Sequence, residues 1–260
     1  MVSLLEETYQ KIKSEALAMD EEIEPFEIIK TIHDYRFYFK PEKVKTILLA
    51  ESHVWTSLED FQCALNPIYQ FPGYPERYTR FVYCLGYGEN EMLKQSVTNN
   101  GGTPGYWKLF YSCLYEINPE KESFRSILKK TSFGDRRANK IKLLQDLKKK
   151  GVWLLDASIV AIYKGSGERA KYGEKAIHYC WDFIRDILRK EKPERLICVG
   201  KTVTEEKLRA LKNEDGLDHK QIYQPSRRRD PRTTSLSEFK EQTMKDYKTC
   251  YDVCNMENVK

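Results

Sequence analysis

The chain has 260 residues, of which 40% are hydrophobic and 32% are charged. This is enough chain for one large domain or two small ones, and no run of 18 apolar residues predicts a membrane span. The net charge is +5, and positive charge is concentrated in residues 129–142 and 226–232. Together with an aromatic content of 12%, this distribution suits nucleic acid and also other anionic partners.

The seven cysteines are scattered and include no CxxC pair. Zinc-ribbon and iron–sulfur spacings are therefore absent, and we expect reduced, mostly buried thiols with no metal cluster and no cofactor. The N-terminal stretch is acidic and lacks the basic start and apolar core of a signal peptide. These features predict a cytoplasmic protein that does not associate with a membrane.

The first half of the chain predicts two helices within residues 3–31, separated at a Glu-Pro step, and then a buried strand over 44–50. Residues 54–105 are rich in Gly, Pro and Tyr. This stretch is long for a loop, so we expect a functional insertion, with a helix within 76–95.

The second half alternates helices with short apolar strands. Strands are expected at the start of 152–163, over 194–200 and over 221–226, and helices over 106–117, 140–151, 173–193, 202–211 and 238–253. This alternation predicts a three-layer α/β/α fold with a central, mainly parallel sheet of four strands. Because no linker is evident, we predict one domain over 1–260, with N-terminal helices in 1–35 and the insertion 54–105.

Polar or small residues follow each of the four predicted strands. The residues at these strand ends are Glu51, Asp156, Gly200 and Gln224. Because the carboxyl ends of parallel strands lie at one edge of a sheet, where open α/β sheets place ligands, these residues are expected to meet at one crevice.

Four segments, LLAESHVW, GVWLLDASIVAIY, LICVGKTV and IYQPSRRR, in this order, resemble the motifs of the uracil-DNA glycosylase superfamily. That family has a strand ending in a G-[EQI]-x-P loop, a strand reading LLLN, a strand ending in a Gly turn and a strand followed by [HN]-P-S. The resemblance covers scattered pieces of residues 44–226. It implies a uracil-DNA glycosylase-like fold and an enzyme that hydrolyses the N-glycosidic bond of a base flipped out of DNA.

The resemblance assigns two catalytic residues. Glu51 corresponds to the family residue that positions the attacking water, and Gln224 corresponds to the His or Asn that contacts the base oxygen O2. Ala50 and His53 stand where the family loop has Gly and Pro, and His53 is a candidate base contact. A carboxylate near the sugar stabilises an oxocarbenium-like transition state, and a donor at O2 stabilises the leaving base.

Further residues are assigned to the base and to the DNA backbone. Asp156 corresponds to the pyrimidine-reading Asn of the family, and Tyr106 or Trp107 corresponds to an aromatic residue that stacks on the flipped base. The family inserts a loop into DNA at the position of Ser226, Arg227, Arg228 and Arg229, and Lys201 is a candidate phosphate contact at a helix start.

Asp156 stands where the family has Asn, and this difference predicts a substrate other than uracil. An Asp that a dry pocket keeps protonated can donate to N3 and accept from an N4 amino group, which matches cytosine and not uracil. Excision of ordinary cytosine would be lethal to the host. We therefore expect a modified cytosine-type base in foreign, phage DNA, an antiviral role, and a pocket for the modification within 54–105.

Several alternatives remain open. The enzyme can be a repair glycosylase for uracil or another deaminated base, or a catalytically silent DNA-binding member of the fold. Glu51 and Asp156 can also be helix-capping residues or a carboxylate pair for Mg²⁺ in a nuclease. Tyr106 and Trp107 can be core residues, and the arginine run can be a solvated surface. The expected partner is DNA, and the expected state is a monomer.

Overall fold

The computed structural model describes residues 2–201, 203–225 and 229–256. The helices of these ranges are α1 (Val2–Ala18), α2 (Phe26–Tyr38), α3 (Leu58–Gln62), α4 (Pro104–Leu114), α5 (Phe133–Lys150), α6 (Gly173–Glu191), α7 (Glu205–Asp215) and α8 (Leu236–Asn255). The strands are β1 (Thr46–Ala50), β2 (Val152–Asp156), β3 (Arg195–Val199) and β4 (His219–Ile222). Each of these elements overlaps a segment predicted from sequence, except α3.

The four strands form one parallel sheet in the order β2-β1-β3-β4. Ile47 pairs with Leu196, and Val199 pairs with Ile222. Every residue of β1 and β2 is buried, as expected for strands without a solvent face. The prediction of an α/β fold with a four-stranded parallel sheet is therefore confirmed. The strand order changes direction between β1 and β3, and such switch points are where α/β sheets bind ligands.

The start and end of α5 follow from two local signals in the sequence. The Ser132 side chain accepts a hydrogen bond from the Asp135 N–H at the start of the helix, and Gly151 ends it with a left-handed φ of 86°. A Cβ at Gly151 would lie 2.9 Å from the Lys43 carbonyl oxygen. Glycine is therefore required both by the backbone conformation and by the close approach of the chain.

The chain divides into two compact units, and neither is continuous in sequence. Unit 1 comprises residues 1–39, 50–102 and 155–192, and unit 2 comprises residues 40–49, 103–154 and 193–260. Most of the sheet belongs to unit 2, and β1 and β2 end in unit 1. Whether residues 1–260 behave as the single domain expected from the sequence stays a prediction.

The helix expected within 76–95 is reduced to the three-residue 3-10 helix Asn90–Met92, and side-chain hydrogen bonds hold much of the remaining, irregular backbone. The Tyr74 hydroxyl donates to the Tyr83 carbonyl at 2.7 Å and accepts from the Leu85 N–H at 2.8 Å. The side-chain oxygen Oδ1 of Asn100 accepts from the Tyr78 hydroxyl and the Gly88 N–H at 2.9 and 2.6 Å. Buried tyrosines and an amide therefore satisfy the backbone groups that a helix would have paired internally.

The seven cysteines are free and buried, as the sequence predicted. Among the described residues, no helix is long and apolar enough to cross a bilayer.

Candidate functional site

Unit 1 brings Glu51 and Asp156 to the same edge of the sheet, directly after two neighbouring strands. The chains leaving β1 and β2 stay paired beyond the strands, because the Ala157 N–H donates to the Ala50 carbonyl at 2.8 Å and the Ser158 N–H donates to the Glu51 carbonyl at 3.0 Å. The backbone therefore holds the segments that carry these two acidic residues next to each other. This is the arrangement that the sequence predicted for this pair.

Glu51 is half-buried, and its carboxylate accepts a hydrogen bond from the Tyr163 side chain. Burial raises the pKa of Tyr163, and the negative charge and hydrogen bond of Glu51 raise it further. The neighbouring Ser52 hydroxyl accepts from the Ile162 N–H at 3.3 Å and donates to the His53 carbonyl at 3.1 Å. The residues after β1 are therefore tied to residues 162–163, which fixes the loop that carries Glu51.

Asp156 forms an enclosed ion pair with Arg36 of α2. Arg36 Nη2 lies 2.6 Å from Asp156 Oδ2, and the exposed fractions of the two side chains are 5% and 3%. The Arg36 guanidinium also lies over the Phe81 ring, 5.1 Å from its centroid. The sequence hypothesis gave the donor role to a protonated Asp156. In the structure the Arg36 guanidinium, a permanently charged donor, is adjacent to this carboxylate. A hydrogen bond donated to a base at this position therefore does not require Asp156 to be protonated.

His53, expected as a base contact, instead lies inside unit 1 in contact with a buried carboxylate. Its Nε2 lies 2.7 Å from Glu24 Oε2, and both side chains have an exposed fraction of 0%. Glu24 also accepts hydrogen bonds from the Thr56 and Ala161 N–H groups at 2.7 and 3.0 Å. The geometry gives His53 a structural role, because Glu24 joins three chain segments and holds the imidazole away from solvent.

In unit 2, two other candidates meet. The Tyr106 hydroxyl donates to Gln224 Oε1 at 2.9 Å. Tyr106 is 8% exposed and Trp107 is 2% exposed, and Lys140 Nζ lies 4.7 Å from the Trp107 ring centroid. Both residues are therefore buried in unit 2, and base stacking by Tyr106 or Trp107 stays a prediction.

The Tyr106–Gln224 contact depends on a close approach of backbone. A Cβ at Gly105 would lie 2.7 Å from the Pro225 carbonyl oxygen, so a side chain at this position would push the two segments apart.

Of the residues predicted to contact the DNA backbone, Lys201 is exposed, and Arg229 Nη1 donates to the Thr234 carbonyl at 2.8 Å. Ser226, Arg227 and Arg228 lie outside the described residues.

Three residues of unit 1 were missed from sequence. Arg36 had a signal, because Ile29, Ile32, His33 and Arg36 follow helical spacing on the buried face of α2, and a charged residue on such a face needs a buried partner. Glu24 and Tyr163 gave no comparable signal, since their partners come from distant segments.

Within the described ranges, no group of three or more His, Cys, Asp or Glu side chains is arranged to hold a metal ion. Comparisons with protein-family models, with curated proteins and with solved structures found no match to this chain.

Proposed function

We propose that this protein is a DNA glycosylase of the uracil-DNA glycosylase type, with its three-layer α/β/α fold. In this proposal the enzyme hydrolyses the N-glycosidic bond of a pyrimidine that is flipped out of DNA, and its target is a modified cytosine-type base of foreign DNA. The product is an abasic site, and no metal takes part in the reaction.

The observation that supports the proposal best is the pair of acidic residues after neighbouring parallel strands. The segments that carry Glu51 and Asp156 are held next to each other by the hydrogen bonds from Ala157 and Ser158 to Ala50 and Glu51. β1, which leads to Glu51, is one of the two strands at the switch point of the sheet. A nucleotide-sized ligand at this sheet edge would meet a half-buried carboxylate and a buried ion pair.

The two acidic residues have different environments, which suits different roles. Glu51 is half-buried, whereas Asp156 is 3% exposed and paired with Arg36. Glu51 is therefore the better candidate for orienting a water and stabilising a positively charged sugar. Gln224 belongs to unit 2, where its amide oxygen Oε1 accepts from the Tyr106 hydroxyl, and its role toward the leaving base stays a prediction.

Asp156 and Arg36 together offer one acceptor and one donor to a base edge. A cytosine presents an N4 amino donor next to the N3 acceptor, and a uracil presents the O4 acceptor next to the N3–H donor. The pair can match either edge, in opposite order, once it rearranges to admit a base. The protonation state of Asp156 therefore does not decide between cytosine and uracil. Measurement of the released base decides between them.

The test is mass spectrometry of the bases released from duplexes that differ only in one pyrimidine: uracil, cytosine or a modified cytosine. We expect release of a modified cytosine and abasic sites in the product DNA. In the Glu51→Gln variant we expect a loss of rate of about 10²–10⁴-fold with DNA binding retained. The Glu168→Gln variant, at an exposed position of the same unit, is the matched control.

The alternative functions give different results in the same assay. Release of uracil alone would replace the proposal by a repair glycosylase. Binding without release of any base, unchanged in Glu51→Gln, would identify a silent DNA-binding member. Strand cleavage that a chelator abolishes would identify a nuclease.

A further inference from the structure

The insertion 54–105 lines most of an open, polar cavity in unit 1, away from Glu51 and Asp156. Its volume is about 400 Å³, which falls within the range of small-molecule sites. Its walls come from the chain after β1, from α3, from the loop 95–99, and from Arg80 and Gly165. The chain that leaves Glu51 reaches this cavity four residues later, at Trp55.

The walls consist mainly of hydroxyl, amide and carboxylate groups. The lining residues include Ser57, Asp60, Gln95, Ser96, Thr98 and Asn99. One large aromatic residue, Trp55, stands among them and lies close to the backbone of Gly165, where a Cβ would be 3.6 Å from Trp55 Cδ1. Planar amide and carboxylate groups make paired hydrogen bonds to vicinal hydroxyls, and an indole ring covers an apolar ring face.

The charges of the cavity are largely satisfied by the protein itself. Arg80 Nε lies 2.9 Å from Asp60 Oδ2, and Arg80 Nη2 donates to the Thr98 carbonyl at 3.0 Å. The two side chains of this pair remain 20% and 15% exposed, so a ligand can reach them. Glu59 adds a further negative charge at an exposed position. An anionic ligand is disfavoured by this balance, and an apolar ligand is disfavoured by the number of polar groups it would leave unpaired.

We propose that this cavity binds a neutral, hydroxyl-rich group of the size of a hexose. Trp55 stacks on the sugar face, and Gln95 and the Asp60–Arg80 pair bind its hydroxyls. Two sources can supply this chemistry. One is a sugar attached to a base of DNA, which rests on the proposed glycosylase function; the other is a free saccharide.

The experiment uses two duplexes that differ only at the target base, one with 5-hydroxymethylcytosine and one with the same base carrying glucose on its hydroxymethyl group. Binding of the full chain is measured by fluorescence anisotropy in the Glu51→Gln background, and base release is measured with unaltered Glu51. Methyl glucosides, monitored by saturation-transfer NMR, test the free saccharide.

If the sugar is borne by DNA, we expect tighter binding of the glucosylated duplex. Trp55→Ala and Gln95→Ala should each reduce that preference by about five- to tenfold, since each removes one contact to the sugar. Lys94→Ala, at the exposed position next to Gln95, is the matched control and should keep the preference. Thermal unfolding of each variant establishes that it folds.

The two proposals fail in different ways. Equal binding of the two duplexes by all variants, together with no glucoside signal that depends on Trp55 or Gln95, would overturn the sugar site while leaving glycosylase activity intact. A Trp55-dependent preference without any base release would keep the sugar site and overturn the glycosylase. A glucoside signal that Trp55→Ala abolishes, with equal binding of the duplexes, would assign the cavity to a free saccharide.

Discussion

Arg36 and Asp156 are buried, so water cannot solvate the charge that remains when one partner is removed. Breaking their contact should therefore lower the free energy of unfolding substantially. In the Arg36→Met variant the carboxylate of Asp156 loses its cation, and we expect unfolding to become easier by about 3–5 kcal/mol. Urea titration at neutral pH measures this change. Lys30→Met is the control on the same helix, because the Lys30–Asp34 pair is 51% and 46% exposed and should contribute less than about 1 kcal/mol. Equal effects of the two variants would contradict the argument from burial.

His33, on the buried face of α2, predicts a dependence of stability on pH. Burial, which is the largest cause, and the positive charges of Arg36 and Lys30 together lower the pKa of His33 from 6.5 to about 3. Because the folded pKa is below the unfolded value of about 6.5, the unfolded chain binds more protons as pH falls. His33 therefore does not change the free energy of unfolding above about pH 6.5. Below this pH it lowers the free energy of unfolding progressively, down to about pH 3.

Between pH 7 and pH 5 this contribution amounts to about 2 kcal/mol. Stability measured by urea titration at several pH values should fall over this interval, and the fall should be reduced by this amount in His33→Leu. His178→Gln, at an exposed position of α6, is the control for removing a histidine. A His33→Leu variant with the slope of the unaltered chain would show that other groups cause the dependence.

The sequence predicted that Glu51 and Asp156 lie near each other, because the carboxyl ends of parallel strands lie at one edge of a sheet. It did not find the partners of His53 or Asp156, since Glu24 and Arg36 are far away in sequence and their pairing depends on how α2 and its preceding loop pack. Side-chain pairing of this kind is decided by tertiary structure, which periodicity does not encode.

At the scale of elements, two glycines associated with α5 should respond in opposite directions to the same substitution. Gly151→Ala places a Cβ at a left-handed residue and 2.9 Å from the Lys43 carbonyl oxygen, so we expect a loss of about 1–3 kcal/mol. Gly134, inside the first turn of α5, has open space around a Cβ. Gly134→Ala should stabilise the chain by about 0.5–1 kcal/mol. Denaturant unfolding of both variants measures the difference, and loss of stability in Gly134→Ala would contradict it.

The sheet and the long helices could be predicted because their sequences carry the right period, for example the buried stripe of α6 and the apolar runs of β1 and β2. The insertion could not be predicted, since its order comes from the hydrogen bonds of Tyr74 and Asn100 to backbone groups and of Tyr78 to the Asn100 side chain. The sequence shows that the insertion is rich in tyrosine, but it does not show which group each hydroxyl contacts.

For the whole molecule, the interleaving of the two units predicts how the chain unfolds. The chain passes between the units at five points, 39/40, 49/50, 102/103, 154/155 and 192/193. Because neither unit is a continuous segment and β1 and β2 contribute residues to both, we expect one cooperative transition. Calorimetry should give equal calorimetric and van't Hoff enthalpies. Two resolved transitions would contradict the single-domain prediction.

The burial of every cysteine makes the thiols a built-in reporter. Sulfhydryls that water does not reach are protected from alkylating dyes until the backbone around them opens, and burial also raises the pKa of Cys84 and raises that of Cys198 to about 12. Cys84 belongs to unit 1 and Cys198 to unit 2. Pulsed alkylation followed by peptide mass analysis would therefore time the opening around Cys84 and around Cys198, without any engineered cysteine.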